Sequence, residues 1–160
     1  GFGTAAELEQ LLERHQASAA AVVMAAAVAD QRLQQPLSGK LSKQELQEVL
    51  HSPASWEMVP DLLHQMVQRR SADQVLMGFA AHSGDVLTQA EAKFQRKGCD
   101  LLFANPIDQP GVGFAASANQ GWLLSRGASP EAMGPCSKLA LAHGLLDRLR
   151  LRLPQAARAD

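Results

Sequence analysis

Three short apolar runs punctuate this chain: Ala21–Ala27, Gln74–Phe79 and Asp100–Ala104. Stretches with helical periodicity lie before, between and after them. The runs are continuous rather than alternating. A strand buried on one face alternates apolar and polar residues, so an unbroken run implies cover on both faces, as in a parallel sheet wrapped by helices. The helical stretches carry their own start signals. Thr4-Ala5-Ala6-Glu7 matches a capping box opening a helix from about Ala5 to His15. Pro60 suits the first turn of a second helix, with Asp61 at the positive end of its dipole and Leu62, Leu63, Met66 and Val67 on its apolar face. Ser83-Gly84-Asp85 starts a third, whose last turn carries Lys93, Arg96 and Lys97 before a terminating Gly98. Ser137 caps a fourth, with Leu139, Ala142, Leu145, Leu146 and Leu149 expected inward.

The plan is α/β: a Rossmann-like, mostly parallel sheet flanked by helices, with a β-hairpin extension. The hairpin is read over 112–125, turning at Asn119-Gln120-Gly121. Ser55–Val59 alternates like a further strand. Residues 30–51 read as a long loop with one helical turn near Gln44–Leu50. Residues 1–153 form one domain, and 154–160 a frayed tail.

Lys plus Arg number 15 and Asp plus Glu 16, a net charge of -1, so no long-range field recruits nucleic acid or an anionic membrane. The longest apolar run, Ala19 to Ala29, is far short of the roughly 20 residues a membrane helix needs. Cys99 and Cys136 form no disulfide framework, and a reducing, cytoplasmic setting is expected. Cys99 reads as a core thiol, and Trp56 and Trp122 as packing residues. His15, His51, His64, His82 and His143 show no metal-ligand spacing. Ser38-Gly39-Lys40-Leu41 lacks the leading glycine of a P-loop. Gly111-x-Gly113-x-x-Ala116 follows Pro110 and enters a hairpin rather than a helix, which rules out a dinucleotide fingerprint and weighs against a generic oxidoreductase.

Ligands of open α/β sheets bind beyond the carboxyl ends of the strands. Those ends read Ala26-Ala27-Val28-Ala29-Asp30, Gly78-Phe79-Ala80-Ala81-His82 and Ala104-Asn105-Pro106. Small residues admit a ligand to the backbone, Asp30 and Asn105 can fix polar edges, and Phe79 can pack on a planar ring. Equally, Ala and Gly serve close strand–helix packing. Lys40, on a Gly-containing loop, can swing onto a phosphate or simply be solvated. Lys93 and Lys97 share a helix face, as a polyphosphate clamp or as complements to the helix dipole. A crossover helix runs back along the sheet, which puts Lys93 about 12 Å from the helix start at Asp85.

In order, Ala25-Ala26-Ala27-Val28-Ala29-Asp30, Gly39-Lys40-x-x-Lys43, Pro60-Asp61-Leu62-Leu63, Gly78-Phe79-Ala80-Ala81, Ala92-Lys93-x-x-x-Lys97-Gly98-x-Asp100-Leu101 and Ala104-Asn105 resemble the phosphopantothenoylcysteine synthetase family. This is the phosphopantothenate–cysteine ligase half of bifunctional coenzyme A biosynthesis flavoproteins. The resemblance runs from about Thr4 to Leu149. It implies a ligase that activates 4′-phosphopantothenate with CTP (ATP in eukaryotic relatives) and Mg²⁺, through an acyl-cytidylate that the amine of L-cysteine then attacks. It implies that Met24, Ala25 and Ala26 present backbone to the nucleotide and that Asp30 binds its polar groups. Pro60, Asp61, Leu62 and Leu63 would line the cytosine pocket with Phe79. Lys93 and Lys97 would hold phosphates, Lys40 would close over the reacting phosphate as the catalytic flap lysine, and Asn105 would join the pocket. It further implies a homodimer using the hairpin surface, and linkage to a flavin-dependent decarboxylase.

Two departures stand out. Gly113-Phe114-Ala115-Ala116-Ser117-Ala118-Asn119 lacks the acid of the family's Gly-Phe-x-Ser-Asp-x-Asn stretch. The family's Gly-rich opening segment, with its Ser-Ser-Gly turn and an asparagine implicated in the acyl-cytidylate step, is not in the sequence. The expectation is therefore a fragment of the ligase that is inactive alone. The alternative is a non-catalytic nucleotide-binding or dimerisation module that retains the fold.

Overall fold

Alternation along the central strands sorts side chains between two cores. In β4 (Val75–His82), Val75 and Met77 point to one side of the sheet, and Leu76 and Ala80 to the other. In β5 (Leu101–Pro106), Leu101 and Phe103 join the first set, and Leu102 and Ala104 the second. Both sets are buried, which is why the runs read as unbroken. The computed structural model describes residues 1–111 and 116–154.

One core lies under α1 (Ala5–His15), α3 (Leu62–Arg69) and α4 (Val86–Lys97), with Met66, Leu76, Ala90, Cys99 and Leu102 at its centre. The other lies under α5 (Lys138–Arg152), where Leu141, Leu145 and Leu149 cover Met77, Leu101 and Phe103. That stripe repeats every fourth residue, so it differs from the expected one. Of the residues expected inward, only Leu145 and Leu149 are; Leu139 and Leu146 are exposed. A run so rich in leucine offers several faces, and the sheet selects one.

The five-stranded sheet has the order β1-β4-β5-β6-β7, with β1 (Ala21–Met24) parallel to β4 and β4 parallel to β5. β6 (Ala118–Ser125) and β7 (Glu131–Ser137) add antiparallel. The sheet is thus mixed, with a parallel core flanked by helices, as expected. Its hairpin, however, is β6–β7, turning between Ser125 and Glu131. Asn119-Gln120-Gly121 lies inside β6, and the expected strand over 112–115 falls outside the described residues, as does the tail from 155. Gly121 marks close contact rather than a turn: a Cβ there would sit 2.1 Å from the Ala104 carbonyl oxygen.

β1 is shorter than the Ala21–Ala27 run and lies at the sheet's edge, not between two strands. Among the described residues it pairs on one side only, and Val23 is exposed. The Ala25 N–H turns back onto the Val23 carbonyl at 3.1 Å, and the chain leaves the sheet. The segment at 30–51 is less of a loop than expected: it holds β2 (Gln31–Leu33), and the expected helical turn near Gln44–Leu50 is a helix, α2 (Lys43–His51), with its own Ser42/Glu45 capping box. β2 pairs antiparallel with β3 (Trp56–Met58) in a separate ribbon. The ribbon's base is closed by the Val59 N–H, which donates to the Asp30 carbonyl at 2.9 Å. Among the described residues, no helix is long and apolar enough to cross a membrane.

Candidate functional site

Three chain segments converge beyond β1 and β4. Met24 ends β1 and Ala25–Asp30 has left the sheet, Met58–Leu63 leads from the ribbon into α3, and Phe79–Ala81 lies at the end of β4. With the last turns of α4 and Asn105 at the end of β5, they line an open cleft of about 680 Å³. Small side chains, Ala25 to Ala27 and Ala80 to Ala81, line its wall. Phe79 is partly exposed on the cleft and packs edge-on against Phe103, ring centroids 6.0 Å apart.

Asp61 is the N-cap of α3, not its second residue, and Pro60 stands outside the helix. Its Oδ1 accepts from the His64 N–H at 3.1 Å, and its Oδ2 accepts from the Lys97 ammonium at 2.5 Å. Burial alone would raise this carboxyl's pKa. The Lys97 hydrogen bond and the His64 N–H outweigh that, and the pKa lies below its ordinary value. One side chain thereby caps α3 and ties it to α4.

Lys93 is half-buried, and its pKa is lowered, first by burial and then by repulsion from Lys97 and Arg96; Asp30 and Asp61 act in the opposite sense. His82, at the end of β4, is also held below its ordinary pKa, by burial and then by Lys93, while the interaction of its ring N–H with the Gln89 side chain opposes the shift. The cleft therefore concentrates positive charge from one face of α4 against two carboxylates, an arrangement suited to a polyanion with a planar head group.

Of the residues singled out from the sequence, Met24, Ala25, Ala26, Asp30, Pro60, Asp61, Leu62, Leu63, Phe79, Lys93, Lys97 and Asn105 all line this cleft. Lys40 does not. It sits exposed between Gly39 and Leu41, on the connection between β2 and α2. The 12 Å offset of Lys93 is accommodated because the cleft extends along α4 instead of stopping at the strand ends. Sequence reading missed Arg96, Met58 and Val59 as lining residues. Arg96 was visible only as a complement to the helix dipole, and nothing local says that the chain before Pro60 folds over the strand ends. Among the described residues, no group of three or more His, Cys, Asp or Glu could hold a metal ion.

A family model for the DNA/pantothenate metabolism flavoprotein C-terminal domain matches residues 2–152. The coenzyme A biosynthesis bifunctional protein CoaBC of Mycobacterium tuberculosis (strain ATCC 25618 / H37Rv) is 34% identical over 157 residues, covering 91% of this chain and 36% of that protein. The CoaBC protein of Mycolicibacterium smegmatis is 35% identical over 159 residues, covering 92% and 37%. The chain thus spans little more than a third of the length of these relatives. Among solved structures, the C-terminal domain of a CoaBC protein superposes with a TM-score of 0.70 at 21% identity, over 94% of this chain and 65% of that one. The DNA/pantothenate metabolism flavoprotein from Streptococcus pneumoniae gives 0.69 at 14% identity, over 94% and 69%. Both share the fold. Taken with the match over nearly its whole length, the chain belongs to the DNA/pantothenate metabolism flavoprotein C-terminal domain family.

Proposed function

We propose that this chain is the ligase domain that joins 4′-phosphopantothenate to L-cysteine in coenzyme A biosynthesis, with CTP as the activating nucleotide. The observation that carries the reading is convergence. Residues scattered from Met24 to Asn105 meet in one cleft offering a planar-ring contact at Phe79 and cations at Lys93 and Lys97. The family membership and the relatives' description as coenzyme A biosynthesis proteins support it.

In this reading the carboxylate oxygen of 4′-phosphopantothenate attacks the α-phosphorus of CTP. The α–β anhydride bond breaks, and its electron pair leaves with pyrophosphate. The cysteine amine then attacks the acyl carbon and displaces CMP, giving the amide. Charge moves toward the departing phosphates, so fixed cations close to them lower the barrier. Lys93 supplies one. Lys97 keeps two N–H donors beyond the one given to Asp61. Lys40 reaches the phosphates only if the β2–α2 connection closes over the cleft. Mg²⁺ fits as a passenger of the nucleotide: among the described residues lining the cleft, Asp30 is the carboxylate without a lysine bond, and Mg²⁺ is commonly held by one carboxylate plus phosphate oxygens. When bound, it would neutralise phosphate charge. The same reading implies a cytoplasmic homodimer working beside a flavin-dependent decarboxylase.

The test is incubation of the chain with 4′-phosphopantothenate, L-cysteine, CTP and Mg²⁺, following CMP release, with calorimetric titration of CTP alongside. CTP binding with CMP release is expected. Binding without release leaves a nucleotide-binding module. A folded chain that binds neither CTP nor ATP overturns the reading.

A further inference from the structure

The cations of the cleft are not equivalent. Lys97 is committed to Asp61 at 2.5 Å. Lys93 is half-buried in the cleft that Asp30 and Asp61 also line. Arg96 lies three residues on, exposed, and lines the same cleft; no described residue accepts a hydrogen bond from its guanidinium. Side chains three apart on a helix are neighbours, so Lys93 and Arg96 repel each other in the free protein. A like-charge pair left facing an open cleft is relieved by a ligand with at least two anionic groups. The exposed member stands where the most hydrated, most highly charged end of such a ligand remains, toward solvent.

We propose that Arg96 is an anion-binding residue of this cleft, gripping the distal phosphates of a nucleoside triphosphate and holding the pyrophosphate as it departs. The planar fork of a guanidinium matches two phosphate oxygens at once, which an ammonium cannot. The proposal rests on the nucleotide reading above. It adds a residue that discriminates triphosphate from monophosphate. As the α–β bond breaks, the negative charge passing to the pyrophosphate is met by the Arg96 N–H donors.

The experiment titrates CTP and CMP into the wild-type chain, Arg96→Ala and Arg96→Lys. Arg96 is exposed on a helix and alanine is the better helix former, so Arg96→Ala keeps the fold, checked by circular dichroism, with Arg96→Lys as the milder variant. The expected result is CTP weakened about 10- to 100-fold in Arg96→Ala, CMP changed less than about twofold, and Arg96→Lys in between. Unchanged CTP binding, or equal loss for CTP and CMP, overturns the proposal. A wild type that binds no nucleotide sinks the nucleotide reading, and inorganic tripolyphosphate then decides for Arg96. Tripolyphosphate binding that Arg96→Ala abolishes sustains the anion site; its absence, or indifference to the substitution, overturns it.

Discussion

Asp61 shows how much one side chain in this cleft carries. Its depressed pKa links ionisation to stability: a carboxyl whose folded pKa lies below its unfolded value stabilises fully above about pH 4, and that contribution fades as pH falls through the folded pKa. Asp61→Asn keeps a capping side chain but loses the charge that holds Lys97. It should destabilise by about 0.5–1 kcal/mol at pH 7, a small figure because the carboxylate is 41% exposed. The gap in melting temperature between wild type and variant should close below about pH 4; a gap independent of pH would show that the ion pair contributes nothing. Lys93 works in the opposite direction. Under the proposed nucleotide reading, its lowered pKa makes CTP affinity fall on the alkaline side earlier than for a site built from exposed lysines. Lys93→Arg, which does not titrate in this range, should flatten that fall in a calorimetric pH series. Cys99 is 1% exposed, and burial pushes its thiol up to about 11. A thiol reagent should therefore modify Cys136 in the native protein and reach Cys99 only on unfolding.

At the scale of elements, two glycines separate packing from turning. A Cβ at Gly78 would meet the Leu63 Cδ2 at 2.5 Å, the end of a side chain that can shift. A Cβ at Gly121 would meet the Ala104 carbonyl oxygen at 2.1 Å, and backbone cannot shift without breaking the β5–β6 ladder. Gly121→Ala should cost about 3 kcal/mol or more and Gly78→Ala about 1–2 kcal/mol, ranked by urea denaturation. Equal costs would mean that the strands separate freely at Gly121. The same pair shows what was legible in the sequence. Capping residues Thr4, Asp85 and Ser137 announced their helices because a cap is a local chemical event. Gly121 was mistaken for a turn because its constraint comes from β5, a neighbour in space only. β2 was missed because Gln31-Arg32-Leu33 carries no apolar pattern; its pairing with β3 defines it.

Across the whole molecule, the parallel core and the cleft were largely legible, because both follow from where apolar runs end and polar residues begin. The ribbon beside it was legible only in part: the strand at Ser55–Val59 and the helical turn near Gln44–Leu50 were expected, but β2 and its pairing with β3 were not. Within it α2 buries no residue fully, while β4 and β5 are buried along most of their length. Backbone amides of α2 should exchange with solvent much faster than those of β4 and β5, read by hydrogen–deuterium exchange; equal protection would make the ribbon part of the rigid body. The bond from Val59 to Asp30 then takes on a mechanical sense. It pins both strands of the arm together at the rim, beside Asp30 and Pro60, at the opposite end of the ribbon from the connection that carries Lys40. A load on that connection therefore reaches the cleft first through the Asp30 backbone.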